Sequence, residues 1–224
     1  MTSRNTIRIA LTKGRLEKKT LELLEHSGDD VSELRSGSRK LIFTLPQPEN
    51  TALPVPEAKV ELVLAKAADV ITYVEHGVCD MGVVGKDTIM EKGGSFYETL
   101  DLGFGKCKFA LAGKKGEDFY EGYHTRVIAT KYPEVTKAFF SKKHMDVETI
   151  KIEGSVELAP LLELADAIVD IVETGTTLKE NGLEVYEDVA PISARVIVNV
   201  ASMKMKKQNI LRLTKLLEAA LEAK

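Results

Sequence analysis

Hydrophobic residues along the chain fall into short runs of four to eight positions, separated by longer stretches in which apolar residues recur at helical spacing. The short runs predict strands at Thr6–Leu11, Lys40–Leu45, Val60–Ala65, Cys79–Val84, Lys108–Ala112, Arg126–Ala129, Val147–Ile152, Ala167–Val172, Glu184–Val189 and Ala194–Ala201. The periodic stretches predict helices at Leu16–His26, Ala67–Glu75, Lys86–Glu91, Glu134–Lys143, Val156–Leu164 and Lys204–Ala223, with another starting over Thr177–Asn181. Pro46–Pro56 is proline-rich and reads as a loop. Strand and helix alternate almost throughout, which is the pattern of an α/β fold.

The composition shifts at Gly103-Phe104-Gly105, so two α/β lobes are expected. The late strands can return to the first sheet. The first lobe is then 1–103 plus 186–224, and the second, 104–185, is an insertion. The stripe Ile210, Leu213, Leu217, Ala220 and Leu221 in the last helix packs on its own lobe or on another subunit.

Composition narrows the partners. A length of 224 residues and a net charge of −3 describe an ordinary globular protein with no global attraction for nucleic acid or anionic membranes. No apolar run approaches the ~20 residues that cross a bilayer, and the N-terminus lacks an export signal, so a cytoplasmic location is expected. Cys79 and Cys107 have no metal or redox spacing, and the four histidines are scattered. An anionic ligand must therefore be held by local cations, backbone amides or a divalent ion.

Four stretches can do this. In DIVETGTTL (170–178), Gly175 lets the amides of a strand-to-helix turn converge on an anion, and Thr174, Thr176 and Thr177 add hydroxyls. The same threonines would equally cap a helix. Asp170 and Glu173 precede the turn, where a carboxylate repels phosphate but accepts hydrogen bonds from a sugar joined to it. LTKGRL (11–16) places Lys13 and Arg15 about Gly14 after the first strand, as a polyphosphate site or a solvated basic turn. In CDMGVVGKD (79–87), Gly85 admits close ligand approach or simply makes a tight turn, and Asp87 opens the next helix. Arg35, Arg39 and Lys40 form a basic group that, by itself, fits a solvated loop.

The stretch ELAPLLELADAIVDIVETGTTL (157–178) resembles the signature region of the ATP phosphoribosyltransferases, matching at Glu157, Ala165, Ile168, Asp170, Ile171, Thr174, Gly175, Thr177 and Leu178. It departs at Glu163, where glycine is usual, a change that a helix accepts. IRIALTKGRL and DMGVVGKD are similar to the same family. The resemblance implies a two-lobed, periplasmic-binding-protein-like (type II) α/β fold with the active site in the inter-lobe cleft. It also implies a short-form catalytic subunit that transfers phosphoribosyl from phosphoribosyl pyrophosphate to N1 of ATP, with Mg2+, in histidine biosynthesis. A homo-oligomer joined to a regulatory subunit related to histidyl-tRNA synthetase is expected. On this resemblance Thr174, Gly175, Thr176 and Thr177 hold the 5-phosphate and Asp170, with Glu173, the ribose. Lys13, Gly14 and Arg15 take substrate phosphates, and Gly85 and Asp87 shape the nucleotide side; Arg35 and Arg39, catalytic together with Asp170, reach pyrophosphate in their own or a neighbouring subunit. The rival readings are a non-catalytic solute-binding module and a transferase for another base.

Overall fold

The computed structural model describes residues 6–36, 39–46 and 59–223. Beyond Pro46, the expected proline-rich loop lies outside the described residues as far as its end. The chain forms two compact units: one of residues 1–89, 93–105 and 193–224, the other of residues 90–92 and 106–192.

The first unit opens with β1 (Thr6–Thr12), α1 (Arg15–His26), the short α2 (Ser32–Arg35), β2 (Ile42–Thr44), β3 (Lys59–Ala65) and α3 (Ala67–Glu75). It continues with β4 (Met81–Gly85), α4 (Lys86–Lys92), whose last three residues group with the second unit, and β5 (Phe96–Asp101). The second unit holds β6 (Cys107–Lys114), β7 (Arg126–Thr130), α5 (Pro133–Lys142), β8 (Val147–Lys151), α6 (Leu158–Leu161), β9 (Ala167–Val172), α7 (Thr176–Glu180) and β10 (Leu183–Ile192). The chain ends in the first unit with β11 (Ala194–Asn199), α8 (Val200–Met205) and α9 (Lys207–Glu222).

The first sheet has the order β2-β3-β1-β4-β11-β5, with β1, β3 and β4 parallel and β2, β11 and β5 antiparallel to their neighbours. Its central strands are apolar at nearly every position because helices cover both faces. Leu21 and Leu24 of α1 and Ile210, Leu213 and Leu217 of α9 pack on one side, and Val70, Ile71 and Val74 of α3 on the other. The last helical stripe thus packs on its own lobe. The expected single helix over Lys204–Ala223 is two, broken at Lys206. The Lys206 ammonium turns inward to the Thr6 carbonyl (2.6 Å) and the Asp80 carboxylate (2.9 Å). Asp80, 5% exposed, also accepts hydrogen bonds from the Arg8 amide (2.9 Å) and the Ser202 hydroxyl (2.7 Å), so a buried charge is fully satisfied.

The second sheet runs β10-β6-β9-β7-β8, with β7, β8 and β9 parallel. Here two expectations need correcting. The segment Leu183–Ile192 does not return to the first sheet at residue 186. It pairs antiparallel with β6 along its length, secured by the Tyr186 hydroxyl donating to the Lys114 carbonyl (2.7 Å) and by a Lys108–Asp188 ion pair (2.5 Å). Only β11 returns. The helix expected over Val156–Leu164 is a single turn, Leu158–Leu161. It is bounded by left-handed residues, Ser155 (φ 45°) and Glu163 (φ 58°), which a continuous right-handed helix cannot contain.

Glu163 therefore occupies a position that favours glycine on conformational grounds, and helix tolerance is not the relevant criterion. Glu163→Gly should raise stability by about 1 kcal/mol by removing left-handed strain, measured as a shift in the urea midpoint.

A second stability prediction concerns Asp29, which follows α1, is 5% exposed and leaves Oδ2 without a hydrogen-bond partner among the described residues. Burial pushes its carboxyl up from 3.8 to about 7. The folded state thus holds the proton more tightly than the unfolded state, and stability falls as pH rises from about 4 through 7. Asp29→Asn should flatten this dependence. It should add about 2 kcal/mol in urea unfolding at pH 8, less than the full ionisation cost because the buried amide is also unpaired.

Candidate active site

Functional groups in parallel α/β sheets collect at the carboxyl ends of strands, where the chain turns into helices. In the second unit that edge is formed by the ends of β9, β7 and β8. The apolar run Ala167–Val172 is buried between β6 and β7, and Asp170 is its one charged member. Beyond it the chain turns at Gly175, which has φ 75° and ψ 4°, and enters α7 at Thr176. The Thr174 and Thr176 hydroxyls are 3.0 Å apart, and the Thr176 amide approaches Thr174 Oγ1 at 3.4 Å. The first amides of α7 have no carbonyl partner within the helix, so hydroxyls and N–H groups face the same space.

That space is a cavity of about 270 Å³ lined by Glu157, Asp170 and the whole segment Glu173–Thr177. It brings together the second-lobe residues expected from the sequence: Asp170, Glu173, Thr174, Gly175, Thr176 and Thr177. It also adds Glu157, which was not among the expected site residues although it begins the matched signature. Asp170 is half-buried. Burial raises its carboxyl above the ordinary range, the Ile171 amide opposes this, the charge of nearby Glu157 raises it further, and Lys131 lowers it. Glu173 is exposed at the rim. The cavity therefore combines neutral donors with the carboxylates of Glu157, Asp170 and Glu173, which suits a phosphate joined to a polyhydroxy group.

The equivalent edge of the first unit carries the remaining candidates. Lys13, Gly14 and Arg15 leave β1, and Gly85 and Asp87 leave the adjacent β4. The Thr12 hydroxyl ties the two strand ends by donating to the Val83 carbonyl (2.9 Å). Gly14 has φ 96°, and its amide donates to Glu17 Oε2 (3.0 Å), so the turn is held while Lys13 and Arg15 stay exposed. At Gly85 the open space is used by the protein itself, since a Cβ there would lie 2.0 Å from Asp87 Oδ1. Arg39 is exposed where the chain enters edge strand β2; antiparallel pairing with β3 puts this entry at the same end of the sheet. Arg35 is held by Glu25 of α1 (2.6 Å), which occupies at least part of its guanidinium.

Among the described residues no group of three or more His, Cys, Asp or Glu side chains could cage a metal ion. Glu157 and Asp170 supply the one or two carboxylates typical of a magnesium ion bound mainly through substrate oxygens and water. No helix among the described residues is long and apolar enough to cross a membrane.

Sheet order and strand-end chemistry define a two-lobed α/β protein of the type II periplasmic-binding class. The aliphatic sulphonate binding protein SsuA of Escherichia coli shares this fold, with a TM-score of 0.58 at 12% identity over 98% of this chain and 73% of its own. The family model "HisG: ATP phosphoribosyltransferase" matches residues 66–219. Curated proteins named ATP phosphoribosyltransferase are 59% identical in Clostridium kluyveri (94% of this chain, 91% of the relative) and 58% identical in Clostridium acetobutylicum (94% and 93%). A chain of the Thermotoga maritima ATP phosphoribosyl transferase (HisG:HisZ) complex superposes with a TM-score of 0.78 at 32% identity, covering 97% of this chain and 100% of its own. The chain belongs to the ATP phosphoribosyltransferase family.

Proposed function

We propose that this chain transfers the phosphoribosyl group of phosphoribosyl pyrophosphate to N1 of ATP, the first step of histidine biosynthesis. The observation that carries the reading is the αL turn at Gly175, with the Thr174 and Thr176 hydroxyls beside it and Asp170 and Glu157 facing it, in a chain 59% identical to named members of the family. The turn holds the 5-phosphate through amides and hydroxyls. Asp170 and Glu157 accept hydrogen bonds from the ribose hydroxyls, and Glu173 stays at the rim. Lys13 and Arg15 bind the ATP phosphates beside Gly85 and Asp87, and Arg39 and Arg35 neutralise pyrophosphate.

In the reaction the C1–O bond to pyrophosphate breaks with the electron pair leaving on oxygen, and the N1 lone pair forms the new C1–N bond. The proton lost from the adenine amino group goes to solvent. C1 passes through an oxocarbenium-like state, so the residues act by aligning N1 with C1 and by balancing charge on the departing group. Asp170 and Glu157 would hold a magnesium ion when one is bound, and its charge would add to the neutralisation of the departing pyrophosphate.

The Thermotoga relative was solved as a complex with a second subunit, and we extend that arrangement to this chain: a hetero-oligomer with a regulatory partner related to histidyl-tRNA synthetase, in the cytoplasm. The test is incubation with ATP, phosphoribosyl pyrophosphate and Mg2+, alone and with the partner. Formation of phosphoribosyl-ATP and pyrophosphate is expected. Absence of both products with the partner present would refute the assignment.

A further inference from the structure

We infer that Lys131 is a pyrophosphate-binding residue, the cation that the second lobe itself directs at the leaving group. The inference rests on the phosphoribosyl-transfer reading and adds a residue that the loop and acid pair do not include. Lys131 is the first residue beyond β7, the strand between β9 and β8. Register pairs Thr130 with Val169 on one side and with Lys151 on the other, so Lys131 comes level with Asp170 at the carboxyl edge of the sheet.

Its backbone is pinned on both sides. Fully buried Thr130 donates its hydroxyl to the Val169 carbonyl (2.6 Å), accepts the Tyr132 amide on the same oxygen (2.9 Å), and receives the Ile152 amide on its carbonyl (3.0 Å). The Tyr132 ring packs edge-on against Phe109 at 4.8 Å, and Pro133 then starts α5. The α5 amides of Glu134 and Val135 are already taken by the Glu91 carboxylate, so this helix end offers no substitute anion site. The Lys131 side chain is exposed, and among the described residues no ion pair consumes its ammonium. Its charge reaches Asp170 on one side and, behind the dominant Lys151 pairing, Glu153 on the other.

The order of groups along the edge gives this lysine its role. After β9 the chain turns through Thr174–Thr177 and α7 into β10, on the far side of the sheet from β7. Asp170 and Lys131 therefore stand level on adjacent strands, with Lys131 on the β7 side and β10 on the other. A furanose whose 5-phosphate sits in the turn and whose hydroxyls meet Asp170 carries its C1 substituent at the opposite end of the ring, toward β7. A pyrophosphate there enters a region already made negative by Glu157, Asp170 and Glu153, and Lys131 is the cation placed to offset them.

The test is isothermal titration of the full chain with Mg2+ and, separately, inorganic pyrophosphate, phosphoribosyl pyrophosphate and ribose 5-phosphate. Lys131→Met should weaken the first two at least about tenfold and leave ribose 5-phosphate within about twofold, and Lys131→Arg should restore most of the loss. Unchanged pyrophosphate affinity in Lys131→Met, or an equal loss for ribose 5-phosphate, would overturn the inference alone. A wild-type chain that binds no phosphoribosyl pyrophosphate would overturn the underlying reading together with it.

Discussion

Asp170→Asn should lower kcat/KM for phosphoribosyl pyrophosphate by about a thousandfold while making the ligand-free protein more stable. The two effects share one cause. The carboxylate is half-buried beside Glu157, and its raised proton affinity records the free energy spent in keeping it charged. Asparagine removes that cost. It also exchanges a charged acceptor of two sugar hydroxyls for an amide with one acceptor oxygen, and charge-assisted hydrogen bonds contribute about 1.5–3 kcal/mol each. A loss near 4 kcal/mol corresponds to the stated factor. The stability sign follows from the same shift. Because the folded carboxyl binds its proton more tightly than the unfolded one, wild-type stability declines as pH rises from the ordinary Asp range through the raised folded value, and Asp170→Asn lacks this decline. Substrate affinity has the opposite dependence, since binding needs the ionised form and weakens on acidification. Urea unfolding and initial rates, both measured across pH, test the pair. A variant that is less stable than wild type and fully active would show Asp170 to be structural.

Gly175→Val should raise the Kd for phosphoribosyl pyrophosphate by about a hundredfold and leave the fold intact. The reason is conformational, not steric. A Cβ at Gly175 would find Val172 Cγ1 at 3.8 Å, an ordinary contact. With φ at 75°, however, a β-branched residue pays well above the ~1–2 kcal/mol typical of a left-handed L-residue, and the turn relaxes away from the shape that converges its amides. Gly175→Asn separates the two explanations, because asparagine enters this region readily and should retain most of the affinity. Titration with phosphoribosyl pyrophosphate measures both variants. Equal losses in Asn and Val would point to crowding, and no loss in Val would remove the turn from the phosphate site.

These residues were legible in the sequence because they are local. The run Ala167–Val172 has apolar residues at every position but Asp170, its strand boundaries hold, and the glycine–threonine cluster can only follow it. Nonlocal facts were harder to read. Glu157 reaches the same cavity across the α6 turn and a loop, and only its place at the head of the family signature marked it. The apolar periodicity over Val156–Leu164 imitates a helix, whereas Pro160 and left-handed Glu163 make it a turn. Leu183–Ile192 reads correctly as a strand, but alternation of side chains identifies a sheet face and not the sheet, so its pairing with β6 was out of reach. Short edge pieces such as α2 lack enough residues to show a period at all.

The placement of β11 has a consequence for how the protein is made. This strand lies between β4 and β5, yet it follows the entire second unit in sequence. A growing chain presents the second sheet, contiguous from β6 to β10, before the first sheet can be closed. Until β11 emerges, β4 and β5 each lack a neighbour, and the apolar face that α9 covers remains open. The second unit is thus complete early in synthesis, and the first unit is finished last.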